Sequence, residues 1–187
     1  YEDGVTVEVT QGTVTKSATA RVIVEPGALD HVVLEPVAPT VEVTKAQAFT
    51  ATPQDQHDNA IRGLAFSFNS DDQAGQVDSQ GGFTAGTQAG TYEAAVTVGV
   101  TQGAVTKSAT AMVVVEPGPL DHVALSPQAV TLDIGATQEF TAEAQDAYDN
   151  PIPEAHIGWE VAEGAGTIDA EGRLTTGTLA GAMEHGV

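Results

Sequence analysis

Acidic and amide side chains recur in the sequence at a spacing that could bind a cation. Two Asp-x-x-Asp-Asn segments carry them: Asp55, Asp58 and Asn59, and Asp146, Asp149 and Asn150. Carboxylate and amide oxygens are ligands for Ca²⁺, although a calcium site needs about six to eight oxygens. The alternative is that each segment is a turn whose side chains accept hydrogen bonds from nearby backbone N–H groups.

Carboxylates also flank two Pro-Gly pairs in the chain. The residues concerned are Glu25, Asp30, Glu116 and Asp121. Ca²⁺ bound there would neutralise like charges and stiffen a joint between domains, and solvated linker acids are the alternative. Calcium is the one candidate cofactor, and no other cofactor is expected.

The remaining polar residues show no spacing that indicates catalysis. His31 and His122 each follow an Asp, but neither belongs to a Ser/His/Asp set or to a metal-binding spacing. The sequence has no phosphate-binding glycine loop and no HExxH or GxSxG motif, and it has no cysteine. We therefore expect a protein that is not an enzyme.

The charge of the chain excludes several classes of partner. Its 187 residues include 26 Asp and Glu but only 6 Lys and Arg, for a formal charge of −20. Binding to nucleic acid or to anionic lipid requires clustered cations, so no nucleic acid is expected as a partner. No apolar run approaches the roughly 20 residues of a membrane-spanning helix, so no direct membrane insertion is expected for this segment.

A long internal repeat organises the chain. The segment Glu25–Pro36 returns as Glu116–Pro127, at an offset of 91 residues that pairs further positions without a gap. A period of this length exceeds the roughly 20 to 50 residues of solenoid repeats and fits one small domain per repeat. The Pro-Gly pairs then divide the chain into a C-terminal β-hairpin of a preceding repeat (1–27), a complete repeat (28–118) and an incomplete repeat lacking its final hairpin (119–187).

Each repeat is predicted to consist of short β-strands. Val5, Val7 and Val9 alternate with polar residues, as in a half-buried strand, and Gln11-Gly12 marks the turn of a hairpin. Many short strands without helical periodicity predict an all-β fold of tandem Ig-like β-sandwiches. The strands expected in the complete repeat are His31–Glu35, Thr40–Thr44, Ala46–Pro53, Leu64–Asn69, Gln76–Asp78, Gly82–Thr84, Tyr92–Thr101 and Val105–Val115.

Alternating apolar residues and matched aromatic residues predict the core. We expect burial of Val5, Val7, Val22, Val24, Leu34, Phe49, Phe68, Val96, Val98, Val113 and Val115, with Phe140 and Trp159 as the equivalents in the last copy. Tyr92, and Tyr1 in the preceding copy, begin a strand at the position of the corner tyrosine of Ig-like sandwiches, whose hydroxyl binds backbone. Met183 replaces this tyrosine in the last copy.

Several motifs together resemble bacterial Ig-like repeats of the invasin/intimin type. They are Leu-Asp-His-Val-x-Leu-x-Pro, Thr137–Ala142, Asp146–Ile152, a strand tryptophan at Trp159, Gly166–Asp169 and Val-Thr-Lys-Ser-Ala-Thr-Ala. The resemblance covers the whole chain and depends on the order and spacing of the motifs. It implies an extracellular or cell-surface stalk or adhesin built of tandem sandwiches, without enzymatic activity.

Two functions follow from this interpretation. In the first, the chain is a structural segment of a surface fibre or stalk, favoured by the gapless repeat and the similar joints. In the second, it is an adhesin module that binds a glycan or a receptor. Such a binding site would be indicated by an aromatic cluster or a long loop on one repeat. Trp159 is the one aromatic candidate, and its match to Phe68 assigns it to the core.

The partial repeats predict an assembly between copies. Residues 1–27 and 92–118 are identical at 21 of 27 positions. The first segment could therefore complete the sandwich of 119–187 in another copy, with Val5 continuing from the region of Val187, in a head-to-tail contact that forms filaments. The alternative is a continuous array from which this sequence is an excerpt. The side chains expected in the assembly hairpin are Val5, Val7, Val9, Ala18, Ala20, Val22 and Val24.

Overall fold

The computed structural model describes residues 4–181 and consists of β-strands. Within that range the chain forms sixteen strands and no helix. None of the described segments is a helix of the length and apolarity that a membrane crossing needs. Tyr1, Met183 and Val187 lie outside the described residues.

The first two strands form an antiparallel hairpin, here called the N-terminal hairpin. Strand β1 is Val5–Gln11 and β2 is Val14–Ala20, with Val5 opposite Ala20. The connecting turn contains Gly12 at φ 63°, a left-handed conformation that glycine adopts without steric penalty. Every residue of both strands is exposed.

The next nine strands form the central unit. They are β3 His31–Glu35, β4 Thr40–Glu42, β5 Ala46–Ala48, β6 Thr50–Gln54, β7 Phe66–Ser70, β8 Gly75–Val77, β9 Gly82–Ala85, β10 Gly90–Gln102 and β11 Val105–Glu116. Its sheets have the orders β4-β11-β10-β7, β3-β6 and β5-β9-β8. Strand β11 of the four-stranded sheet packs against β3. The predicted all-β sandwich is confirmed.

One predicted strand is in fact two. The segment Ala46–Pro53 was expected to be continuous, but β5 pairs with β9 whereas β6 pairs with β3. The chain therefore changes sheets at Phe49, whose backbone N–H bonds to the carbonyl of Gly81 between the two pairings. An alternating sequence does not reveal such a change, because both strands keep the same period of two.

The core of the central unit consists mainly of valine and alanine, with Leu29, Leu34 and two phenylalanines. Phe49 and Phe83 meet edge to face with their ring centroids 6.1 Å apart, a favourable aromatic geometry. Of the predicted core, burial is confirmed for Leu34, Phe49, Val96, Val98, Val113 and Val115. Phe68 is half-buried against this core, and Phe83, which the sequence analysis did not select, is fully buried.

The last five strands form the C-terminal unit. They are β12 His122–Ser126, β13 Thr137–Glu139, β14 Thr141–Gln145, β15 Gly166–Ile168 and β16 Arg173–Thr176, in sheets of order β12-β14 and β13-β16-β15. At the 91-residue offset these correspond to β3, β5, β6, β8 and β9. The equivalents of β4 and β7, residues 131–133 and 157–161, are not strands. The predicted strand at Trp159 was therefore wrong for this unit.

The cause is the absence of the strands that pair with these segments. In the central unit, β4 hydrogen-bonds to β11 and β7 hydrogen-bonds to β10. No equivalent of the β10–β11 hairpin lies against the C-terminal unit within the described residues. Extended segments without a pairing partner satisfy their backbone groups with water instead of a ladder.

The burial predicted for the N-terminal hairpin was wrong for the same reason. Val7 is 54% exposed, whereas Val98, its equivalent in the central unit, is 0% exposed. Val5 and Val24 are likewise exposed, Val22 is half-buried, and so are Phe140 and Trp159. The second strand ends at Ala20 and does not reach Val24, because the residues that pair with the end of β11 have no described counterpart here.

Candidate functional site

The two Asp-x-x-Asp-Asn segments are turns that follow equivalent strands. The Asp55 turn, Asp55–Asn59, follows β6, and the Asp146 turn, Asp146–Asn150, follows β14. Asp58 and Asp149 both have φ 62°, a left-handed conformation that aspartate tolerates better than most residues. Each turn therefore has the local structure that the turn alternative predicted.

The antiparallel pairing of β12 with β14 brings the Asp146 turn to the linker between the units. Here, the second joint means Glu116–Asp121 together with the Asp146 turn, and the first joint means Glu25–Asp30 together with the Asp55 turn. His122 at the start of β12 lies opposite Gln145 at the end of β14. The linker that leads into β12 consequently passes beside the carboxylate of Asp146.

The carboxylate of Asp146 is the centre of the second joint and is 1% exposed. Its Oδ2 accepts a 2.7 Å hydrogen bond from the backbone N–H of Gly118. Its Oδ1 accepts hydrogen bonds from the backbone N–H groups of Tyr148 at 2.8 Å and Asn150 at 3.0 Å. The side-chain amide of Asn150 donates to both oxygens, at 3.1 and 2.9 Å. The carboxylate thus ties the linker to the turn.

The approach of linker to carboxylate requires a small residue at Gly118. A Cβ there would lie 3.3 Å from Cγ2 of Val43 in the central unit and 3.5 Å from Oδ2 of Asp146. The first distance is tighter than ordinary van der Waals contact, so a larger side chain would separate the linker from one of the two units.

Asp55 makes the same contacts at the first joint. Its Oδ2 accepts a 2.7 Å hydrogen bond from the backbone N–H of Gly27, and its Oδ1 accepts from the N–H groups of His57 at 2.9 Å and Asn59 at 3.1 Å. The amide of Asn59 donates to both oxygens at 3.2 and 3.1 Å. The arrangement therefore repeats with the sequence.

These hydrogen bonds favour the ionised form of both carboxyl groups. The N–H group of Gly27, followed by those of the turn, holds the pKa of Asp55 well below its usual value despite burial. Burial alone would raise the pKa of Asp146, but hydrogen bonds from Gly118 and Asn150 outweigh it and lower the pKa to about 2. A carboxylate that accepts several N–H bonds is stabilised in its charged form.

Asn150 extends the second joint to the body of the central unit. Its Oδ1 accepts a 2.8 Å hydrogen bond from the backbone N–H of Ala89, and its Nδ2 donates at 2.8 Å to the carbonyl of Thr87. Asn150 is accordingly only 5% exposed. The loop between β9 and β10, residues 86–89, is thereby fastened to the turn of the next unit.

Asn59 occupies the same position in the first joint without this outer contact. Within residues 4–181, its amide nitrogen donates only to Asp55 and its amide oxygen accepts no hydrogen bond. Its side chain is exposed. Among the described residues, the two asparagines therefore differ in their outer contacts and not in their own turns.

Each joint also contains a histidine between two carboxylates. Nδ1 of His122 lies 3.1 Å from Asp121 and Nε2 lies 3.2 Å from Asp149, and His31 has Asp30 at 3.2 Å and Asp58 at 3.4 Å. The hydrogen bond with Asp121, and further contacts with Gln145 and Asp149, raise the pKa of His122 although partial burial opposes the change. Protonation at mildly acidic pH therefore strengthens the link between the strand and the turn.

The calcium candidates do not converge on a cation site among the described residues. No group of three or more His, Cys, Asp or Glu side chains there has metal-binding geometry. The oxygens of Asp55 and Asp146 face N–H donors, Asp58 and Asp149 face histidines, and the linker acids Glu25 and Glu116 are exposed. Ca²⁺ at either turn would have to displace these donors, so the turn alternative explains the geometry that the two segments share.

The corner tyrosine predicted at Tyr92 is confirmed. Its hydroxyl donates a 3.1 Å hydrogen bond to the carbonyl of Gln88, in the loop that Asn150 also binds. The contact between Asn150 and this loop was missed by the sequence analysis. The one signal for it was the identity of Gly86-Thr87 with Gly177-Thr178 and of Ala89-Gly90 with Ala180-Gly181.

No protein-family model matches the chain, and no curated protein matches it. Solved structures do match. The Escherichia coli adhesin FdeC is 23% identical over 83% of this chain and 59% of its own, with a TM-score of 0.43. InvD of Yersinia pseudotuberculosis is 22% identical over 75% of this chain and 48% of its own, with a TM-score of 0.39.

The surface-layer protein SbsC is 22% identical over 79% of this chain and 20% of its own, with a TM-score of 0.35. The chain thus spans less than two thirds of each of these three structures. Adhesion and surface-layer formation are described for FdeC and SbsC themselves.

Proposed function

We propose that this chain is a non-enzymatic structural segment of an extracellular or cell-surface fibre or stalk, in which the N-terminal hairpin of one copy completes the C-terminal unit of another. The proposed location follows from the motifs that resemble invasin/intimin-type repeats. The proposed assembly depends on one observation, namely that the hairpin and the C-terminal unit expose the residues that the central unit buries.

The sheet orders of the two parts are complementary. In the central unit, the hairpin β10–β11 occupies the middle of the sheet β4-β11-β10-β7. The N-terminal hairpin is its equivalent and, within residues 4–181, has neither flanking strand. In the same range, the C-terminal unit contains the flanking segments 131–133 and 157–161 without the middle strands. Inserting the one into the other reproduces the complete sheet, and unpaired edges of this kind favour pairing with another strand.

The apolar surfaces are complementary as well. Val32 and Leu34 on β3 are buried in the central unit, whereas their equivalents Val123 and Leu125 on β12 are 57% and 42% exposed. Strand β11 covers β3 in the central unit, so β2 of another copy is the strand that would cover β12. Burial of such side chains yields about 25 cal/mol per Å² of apolar surface, which provides the driving force for the contact.

The test is self-association of the 187-residue chain, measured by analytical ultracentrifugation and electron microscopy. We expect head-to-tail filaments whose formation is abolished by deletion of residues 1–27. Val7→Glu should also abolish assembly, because it places a charge where Val98 is fully buried in the central unit. Thr6→Glu, on the other face of the same strand, is the matched control and should assemble.

Several results would contradict the proposal. Assembly by the Val7→Glu chain at the level of the parent chain would show that the hairpin does not enter a sandwich. Rods formed without residues 1–27 would show that another surface holds the copies together. Specific binding of the monomer to a glycan array would favour the adhesin function instead.

A further inference from the structure

We infer that Asn59 is the outer half of a joint between two copies of this chain, and that its partner is the loop Gly177–Gly181 of the preceding copy. The inference rests on the proposed head-to-tail assembly and adds a specific polar contact to it. The proposed contact is analogous to the observed contact between Asn150 and residues 87–89, which the second joint forms within one chain.

The two asparagines have the same internal geometry. In both, the backbone N–H and the side-chain amide bond to the carboxylate at the start of the turn, within distances of 2.9 to 3.2 Å. The amide plane is thereby fixed before any partner arrives. Such preorganisation lowers the entropic cost of forming the outer hydrogen bonds.

The proposed partner loop has the required sequence. Gly177-Thr178-Leu179-Ala180-Gly181 differs from Gly86-Thr87-Gln88-Ala89-Gly90 only at the middle residue. Both loops begin with the same backbone contact, since Gly86 N–H bonds to the carbonyl of Ala74 and Gly177 N–H bonds to the carbonyl of Ala165, each at 2.8 Å. The carbonyl of Thr178 and the N–H of Ala180 are therefore the groups that Asn59 would bind.

The middle residue of the loop is also consistent with a contact between copies. Leu179 is 69% exposed within the chain, at the position that Gln88 holds beside the second joint. The depression bordering the first joint is lined by Pro26, Gly27, Ala60 and Ile61, together with the polar residues Glu25, Arg62 and Gln102. An apolar side chain beside this surface supplies burial that the glutamine of the second joint does not.

The experiment compares two alanine variants in the full chain. Asn59→Ala should weaken self-association about tenfold or more, because two hydrogen bonds are lost and a buried N–H and carbonyl are left unpaired. Asn150→Ala is the matched control: its contact lies within the chain, so association should change by less than about twofold. Sedimentation equilibrium measures both.

Crosslinking provides a direct readout, because the chain has no cysteine. Ala60→Cys and Leu179→Cys are made in separate chains and mixed with a short bis-maleimide. We expect covalent dimers from the mixture and none from either chain alone. Gln88→Cys with Pro151→Cys in one chain is the intramolecular control and should crosslink without a change in oligomeric mass.

The outcomes separate this inference from the proposed assembly. Association that is unaffected by Asn59→Ala, together with no crosslink in the mixture, overturns the asparagine contact and leaves hairpin docking intact. Weakened association together with the crosslink supports the contact. A parent chain that stays monomeric at all concentrations overturns both.

Discussion

A matched pair of valine substitutions tests the assignment of strand faces and the state of the hairpin together. Val98 in β10 and Val7 in β1 are equivalent residues, yet Val98 is 0% exposed and Val7 is 54% exposed. Each substitution removes the same side-chain atoms from a strand of nearly identical local sequence, so its cost depends on how the valine packs against its neighbours. Any difference in the free energy of unfolding between the two variants therefore reports burial.

The expected magnitudes follow from the removed surface. Val98→Ala deletes two buried methyl groups, each contributing about 0.8 kcal/mol, and leaves a cavity, so it should destabilise the central unit by about 2 to 3 kcal/mol. Val7→Ala should change the stability of the monomer by less than about 0.5 kcal/mol. If the hairpin docks as proposed, Val7→Ala should instead weaken association about 30- to 150-fold.

The assay is urea unfolding of the dilute chain, followed by NMR signals of methyl groups in the central unit, since Trp159 lies in the C-terminal unit. With ordinary urea dependences, Val98→Ala should lower the unfolding midpoint by about 1 M or more. Equal destabilisation by both variants at monomeric concentrations would refute the exposed position of Val7. A loss below about 0.5 kcal/mol for Val98→Ala would refute the assignment of its strand face.

Three further predictions concern the joints. The lowered pKa of Asp146 contributes stability at pH values above the ordinary pKa of 3.8, and this stability is lost as the pH falls towards about 2. The raised pKa of His122 contributes stability at pH values below the ordinary pKa of 6.5, and this stability is lost as the pH rises through the pKa of the folded state. Melting temperatures should therefore be highest between about pH 4 and 6.5. Asp146→Asn should reduce the fall in melting temperature at acidic pH, and His122→Gln should reduce the fall at higher pH. A melting temperature independent of pH would contradict this. Asn150→Ala should broaden the distance distribution between spin labels on Gln80→Cys and Glu171→Cys, because the loop 86–89 loses its attachment. An unchanged distribution would show that the linker alone sets the angle between the central and C-terminal units. Millimolar Ca²⁺ should raise the melting temperature no more than NaCl of equal ionic strength, since N–H donors face the oxygens of Asp55 and Asp146; a chelator-reversible rise specific to Ca²⁺ would disprove the turn interpretation.

The sequence predicted most of the strands because period-two alternation and turn residues are local signals. The complete repeat shows this clearly: His31–Glu35 was predicted with its observed ends, and the long hairpin β10–β11 within a few residues. The change of sheet at Phe49 was not predicted, because partner choice depends on residues far along the chain: β5 pairs with residues 34 to 38 positions away and β6 with residues 15 to 23 positions away.

Burial at the two ends of the chain was predicted incorrectly for a different reason. Alternation identifies which face of a strand is apolar, but not whether another sheet is present to cover that face. Val7 and Val98 have nearly identical local sequences and opposite exposures. In the joints, a run of Asp and Asn was compatible with a cation site as well as with a turn, and the structure adds the N–H groups that face the oxygens of Asp55 and Asp146.

The asparagine contact in the second joint has a consequence for how the length of such a protein can change. Each repeat carries both halves of a joint, the Asp-x-x-Asp-Asn turn in its first half and the Gly-Thr-x-Ala-Gly loop in its second half. Duplication or loss of one 91-residue stretch of coding sequence therefore leaves a matching half on either side of the new junction. Recombination between repeats in the same register can lengthen or shorten the molecule in whole units, and no compensating mutation is needed at the point of crossover.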